Sequence, residues 1–205
     1  MKRNRLTAEH GIMRDFSLEI PERRLHMRLG YTRKTAIVPE NMREMIQDER
    51  KSLIRLARAQ SIFRVMDYEE TNKHPIFARA KKVALCICTI GSEVEDRCAD
   101  LMRRNEMVRS LILDSLGSEA AEAVAAQSDE RLAIQAREEN LWPSKRFSPG
   151  YGQWNIQEQR YLFQALPAQD IGVSLSSSCM MIPRKSVSFR INFYADKSLS
   201  TRRIR

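Results

Sequence analysis

The chain has 205 residues with 42% hydrophobic and 30% charged content, enough for one large domain or two small ones with a real core, and too apolar for wholesale disorder. Its net charge of +9 favours an acidic partner without choosing among nucleic acid, protein and membrane surface. No run approaches the ~18 apolar residues of a membrane span, and the basic N-terminus lacks the apolar stretch of a secretory signal.

Residues 1–20 read as an irregular segment. Arg23 to Gly30 reads as a short helix that stops at Gly30. Pro39 then opens a strong helix, with Met42, Met45, Ile46, Leu53, Leu56 and Ala57 on one face. Arg43, Arg50, Lys51, Arg55 and Arg58 lie on the other face, where they form a solvated surface or a basic stripe. Ser61 to Tyr68 is rich in β-branched and aromatic residues and predicts a strand. Val83 to Ile90 (VALCICTI) is an almost continuous apolar run of strand length, the pattern of a central strand buried on both faces. Ser92 is placed to cap a helix whose Val94, Cys98, Leu101 and Met102 share a face. The helical pattern of residues 108–136 is expected to break near Gly117-Ser118. Glu122 falls among its small apolar residues, either solvated at the edge of the stripe or held there for a purpose.

Residues 137–154 read as a long loop, a type often functional in a compact domain. Asn155 begins the next helix, and Pro167 stops it. Ile171, Val173 and Leu175 alternate, as do Val187, Phe189, Ile191 and Phe193, predicting half-buried strands that neighbour each other in an antiparallel sheet. Lys197 to Arg205 forms a basic tail read as mobile. Helices first and strands last imply an α+β fold with a largely antiparallel sheet.

Few chemistries fit these residues. Cys86, Cys88, Cys98 and Cys179 lack zinc-site spacing and read as buried free thiols, which implies a reducing, cytoplasmic setting. The three histidines are scattered, and no phosphate-binding glycine motif or nucleophile elbow occurs. The basic helix has no aromatic stacking platform, so nucleic acid is only a minor alternative. What remains is the bend from Arg146 to Gly152. Pro149 fixes its own φ, Gly150 and Gly152 permit positive φ, Tyr151 adds a flat face with a polar tip, and Arg146 offers five donors to a carboxylate or phosphate. A surface turn with a solvated Arg would look the same. With Glu122 nearby in space, the bend would suit a zwitterion that carries a nucleoside.

The run RFSPGYGQW (146–154), the helix with Gln157, Glu158 and Gln159, and the run IGVSLSSSCMMIPRKSVSF (171–189) together resemble the activation (reactivation) domain of cobalamin-dependent methionine synthase. They look most like short, free-standing relatives found beside corrinoid methyltransferases. Val83–Gly91 and the LILDSLGSEAAEAV segment (111–124) share in the resemblance, which spans residues 25–193. It implies a C-shaped α+β domain over residues 21–196, between the irregular segment 1–20 and the tail 197–205. The domain would have a twisted, largely antiparallel sheet with helices around it. By the same resemblance it would bind S-adenosylmethionine at the Arg-x-x-x-Gly-Tyr motif and cap a corrinoid oxidised to Co(II), so that an electron from flavodoxin or a similar donor and the methyl group restore methylcobalamin. Arg146 would hold the methionine carboxylate, Glu122 would meet the amino end, and Ser148, Gly150 and Tyr151 would line the site.

The chain departs from the family where Leu-Thr-Glu-Ser becomes Leu175-Ser176-Ser177-Ser178 and a carboxylate is lost. The family's early Asp and late Tyr have no assigned counterpart here. The Asp-x-His-x-x-Gly motif of cobalamin carriers is absent, so the corrinoid is expected on a partner, either a corrinoid-binding protein or methionine synthase subunits. The alternative is a docking module for that partner or for the electron donor, with the small-molecule site lost.

Overall fold

A computed structural model describes residues 10–31 and 37–202. Five strands form one antiparallel sheet in the order β1 (His10–Met13), β2 (Gln60–Asp67), β3 (Lys82–Thr89), β7 (Ser186–Tyr194) and β4 (Trp142–Pro143). A separate two-stranded ribbon pairs β5 (Ser174–Leu175) with β6 (Met181–Ile182). The helices are α1 (Glu22–Arg28), α2 (Glu40–Leu56), α3 (Glu93–Arg103), α4 (Met107–Glu138) and α5 (Gln159–Ala165). The architecture is α+β, as the order of helices and strands implies.

The sheet separates two apolar layers. On one face, Leu25, Leu53, Leu101, Ile112, Leu116 and Val124 from α1–α4 pack against Ala84, Cys86, Cys88, Phe189 and Ile191. On the other, Leu162 and Leu166 join Phe77, Trp154 and Ile171 over Ile62, Leu85 and Ile87. β3 lies between β2 and β7, and from Val83 to Cys88 every side chain is fully buried, which is why its sequence shows no polar alternation. Burial of Val83, Leu85 and Ile87 contributes about 1.5–3 kcal/mol each.

Several local expectations are corrected. The segment 1–20 is not wholly irregular, because His10–Met13 pairs with β2 as an edge strand; residues 1–9 lie outside the described residues. α4 runs unbroken through Gly117. A Cβ there would approach Val94 Cγ1 to 3.1 Å, so this glycine permits the close approach of α3 rather than a bend. Ser92 precedes α3 without a side-chain capping bond. The alternating Ile171–Leu175 run does not neighbour β7. Residues 168–171 form a 3-10 turn, Gly172 takes φ +70°, and only Ser174–Leu175 is extended. Within the expected loop 137–154, α4 continues to Glu138 and β4 caps the edge of β7. The tail is tied down: Arg202 pairs with Asp129 at 2.7 Å and also with Glu130, and Ser200 Oγ donates to the Pro143 carbonyl. Residues 203–205 lie outside the described residues.

All four cysteines are free and buried, and burial pushes the Cys98 thiol up to about 11. Native protein at pH 8 is therefore expected to react slowly with an aromatic disulfide reagent, and all four thiols rapidly once denatured. A fast native thiol would contradict this packing.

Candidate functional site

The site arises where the sheet edge is left open. β4 covers the far end of β7, with Phe193 and Tyr194 as its partners. The chain then follows β7 to Phe147, whose N–H donates to the Arg190 carbonyl at 3.0 Å and whose carbonyl accepts from Arg190 N–H at 2.9 Å. Beyond that bridge the bend turns away from the strand, leaving the Ser186–Ser188 edge of β7 without a strand partner on that side. A cleft of 430 Å³ opens there, lined by Glu122 of α4, Arg146 and Tyr151 of the bend, Gln159 of α5, and Ser186–Ser188 of β7. That volume falls within the usual range for small-molecule sites, about 300–1,000 Å³.

The bend is held by its own backbone. Tyr151 N–H donates to the Ser148 carbonyl at 3.3 Å, Trp154 N–H to the Tyr151 carbonyl at 3.0 Å, and Gly150 N–H to the Trp154 carbonyl at 2.7 Å. Gly150 sits at φ +91°, where a side chain is strained. Phe147 stacks on Trp154 at 6.3 Å between ring centroids, which clamps the two ends of the bend together. The Arg190 guanidinium lies 5.3 Å from the Phe147 ring and 5.4 Å from the Trp154 ring. Burial pushes its pKa down, and its Nη1 donates to Asn192 Oδ1 at 2.8 Å.

Arg146 and Glu122, 24 residues apart, are in contact: Nη2 donates to Oε2 at 2.7 Å. The Arg146 guanidinium also sits 5.7 Å from the centre of the buried Phe189 ring. Neither partner is fully buried, with side-chain exposures of 28% for Arg146 and 39% for Glu122. The pair therefore meets solvent in the cleft. Around it the charges continue in alternation. Burial pushes the neighbouring Asp129 carboxyl up, while its bond to Arg202 and the charge of Arg146 oppose that rise. Chemically, one edge of Arg146 is engaged by Glu122 while its remaining N–H donors can meet an anion, and Glu122 can accept from an ammonium group.

Of the residues singled out from sequence, Glu122, Arg146, Ser148 and Tyr151 line the cleft together with Pro149. Gly150 is not part of the lining; it shapes the turn, and a Cβ there would meet Ile156 Cδ1 at 3.3 Å. Sequence reasoning missed Gln159, Met181, Ser186, Val187 and Ser188. The missing signal lay in β7, where Ser188, Arg190 and Asn192 occupy what reads as a solvent face. That face is covered: Ser188 and Asn192 are buried. The basic stripe of α2 is largely engaged. Arg43 pairs with Glu40, Lys51 with Asp48 and Arg58 with Glu93, while Arg50 donates to the Ile20 carbonyl. Among the described residues no helix is long and apolar enough to cross a membrane.

A family model described as "Vitamin B12 dependent methionine synthase, activation domain" matches residues 47–198. Among solved structures, one described as the "MetH Reactivation Domain bound to AdoHcy" superposes with a TM-score of 0.72 at 16% sequence identity, covering 98% of this chain and 83% of that one. At that identity the likeness is one of fold. No curated protein matches.

Proposed function

The chain belongs to the vitamin B12-dependent methionine synthase activation-domain family, and from that premise we propose that it binds S-adenosylmethionine in the cleft beside Glu122 and Arg146. There it serves the reductive remethylation of an oxidised corrinoid held by a partner protein. The observation that carries this reading is the 2.7 Å contact between Arg146 and Glu122 in an open cleft, an acid and a base placed together where a zwitterion can meet both. The solved fold relative described with AdoHcy supports it from outside this chain.

When bound, S-adenosylmethionine would supply an electrophilic methyl group on its sulfonium and would leave as S-adenosylhomocysteine, the methyl going to the partner's corrinoid cobalt after an electron donor had reduced it. The residues of this chain hold and orient. Arg146 turns its unengaged N–H donors to the amino-acid carboxylate. Glu122 fixes the guanidinium and accepts from the ammonium. Tyr151 and Pro149 wall the cleft, Ser148 lines it, and Gly150 supplies the turn that brings them together. The chain's excess of base suits an acidic electron donor of the flavodoxin kind, and four buried free thiols suit the cytoplasm. Such electrostatic recruitment acts mainly on association rate and is screened beyond ~8 Å at physiological salt.

Isothermal titration with S-adenosylmethionine and with S-adenosylhomocysteine tests the reading. Saturable binding of both at one site is expected. Absence of binding by intact protein would overturn it in favour of a second reading, a docking module for the corrinoid protein. The Ser176-Ser177-Ser178 turn favours that alternative, because it lacks the family's carboxylate: Ser176 and Ser178 hydroxyls bond each other at 3.0 Å instead.

A further inference from the structure

The cleft holds a polar group besides Arg146 and Glu122, the carboxamide of Gln159. Gln159 opens α5 and lines the cleft, yet it is only 4% exposed. Its Oε1 accepts from Ser188 Oγ at 2.5 Å, and Ser188 is itself buried. That bond fixes the carboxamide plane and leaves its Nε2 protons without an acceptor among the described residues. An amide carries two such donors, and because Gln159 lines the cleft an acceptor on a bound molecule can meet them there.

The position of Gln159 says which part of a ligand it meets. Successive side chains of a strand point to opposite faces. In β7, Phe189 and Ile191 face the layer that contains α4, whereas Ser188 bonds α5 and Arg190 lies over Phe77 and Trp154 of the opposite layer. Glu122 therefore approaches the open sheet edge from one side and Gln159 from the other. Both groups line one cleft, so a ligand whose charged end pairs with Arg146 can reach Gln159 past Ser188. Pro149, Met181 and Val187 supply apolar lining along the way.

We propose that Gln159 determines specificity for the adenosyl half of the ligand, its carboxamide N–H donating to a nitrogen or oxygen acceptor of the nucleoside, with Ser188 as the residue that orients it. This rests on the proposed S-adenosylmethionine site and deepens it.

The test uses two probes, S-adenosylhomocysteine and methylthioadenosine; the second keeps the nucleoside and lacks the amino acid. Gln159→Met preserves length and removes the donor. It is expected to weaken both probes by a similar factor, roughly three- to tenfold, as for one lost hydrogen bond. Arg146→Ala should weaken S-adenosylhomocysteine strongly and methylthioadenosine hardly at all. Ser188→Ala leaves the carboxamide present but unanchored and should give a smaller loss with both probes; it carries the same test should Gln159→Met fail to fold in a thermal melt. Unchanged affinity in the Gln159 and Ser188 variants would overturn the assignment, as would a loss confined to S-adenosylhomocysteine. Wild-type protein that binds neither probe would overturn the site itself, a distinct result.

Discussion

Arg146→Ala is expected to lower affinity for S-adenosylhomocysteine by about thirtyfold or more while leaving the melting temperature nearly unchanged. The guanidinium is held in place by Glu122 at 2.7 Å and backed by the Phe189 ring. It thus meets a carboxylate with little further ordering. Removing it leaves the ligand's charge unpaired in a partly desolvated cleft, at a cost of roughly 2–5 kcal/mol, and about 1.4 kcal/mol is tenfold in affinity. Stability should change little, because the Arg146–Glu122 pair is more than a quarter exposed on both sides, and such pairs contribute about 0–1 kcal/mol. Arg146→Lys should recover only part of the affinity, since an ammonium cannot engage Glu122 and a ligand carboxylate along two edges of one planar group. Titration of the three proteins, with circular dichroism melts alongside, reads both quantities. Equal affinity across the three would sink the assigned site.

The contact behind that prediction was partly legible in the sequence. The Arg-x-x-x-Gly-Tyr bend announces itself through residue types with narrow conformational uses, and Gly150 at φ +91° shows the use made of one of them. Glu122 was legible only as a question, because a carboxylate on a small-residue stripe looks alike whether solvated or engaged. One helical turn earlier, Glu119 is engaged by Arg24 and Arg28 of α1, and nothing local distinguishes the two acids. What separates them is which element crosses α4 at each turn, and that is decided by long-range packing.

The same limit explains the other differences. VALCICTI could be read directly, since burial on both faces leaves a continuous apolar run. Gly117 could not, because a helix-breaking glycine and one that admits a neighbouring helix so closely that a Cβ would meet Val94 Cγ1 at 3.1 Å share the same local sequence. Gln159 and Ser188 were hidden by a fair rule applied to the wrong case. Polar alternation in β7 normally marks a solvated face, yet here α5 and the bend cover it, and the polar residues bond one another. A polar strand face that carries an arginine among serines and an asparagine is a pattern worth testing for enclosure.

The second large effect concerns the layer that carries Glu122. Arg109→Met is expected to destabilise the fold by about 3–5 kcal/mol, the range for removing one partner of a buried ion pair. Glu49 of α2 is fully buried, and its Oε1 accepts from Arg109 Nε of α4 at 2.6 Å. Its Oε2 is buried without a hydrogen-bond partner among the described residues, so Arg109 is the chief compensation for that charge. Arg109 is about one-third exposed, with Asp48 and Glu106 each 3.7 Å away. Those outer pairs are screened and add little; the loss comes from stranding Glu49. For a chain of this size each kcal/mol moves the melting temperature by roughly 2–4 °C, so a fall of at least about 6 °C is expected. Replacing both partners, Glu49→Leu with Arg109→Met, should recover most or all of the loss, because an apolar pair of similar volume leaves no charge in the α2–α4 interface. Thermal melts of the two variants and wild type decide the matter. A single variant that melts with wild type would show that Glu49 is compensated by something other than Arg109. A double variant no better than the single would show that the side-chain packing of this pair, and not its charge, holds the two helices together.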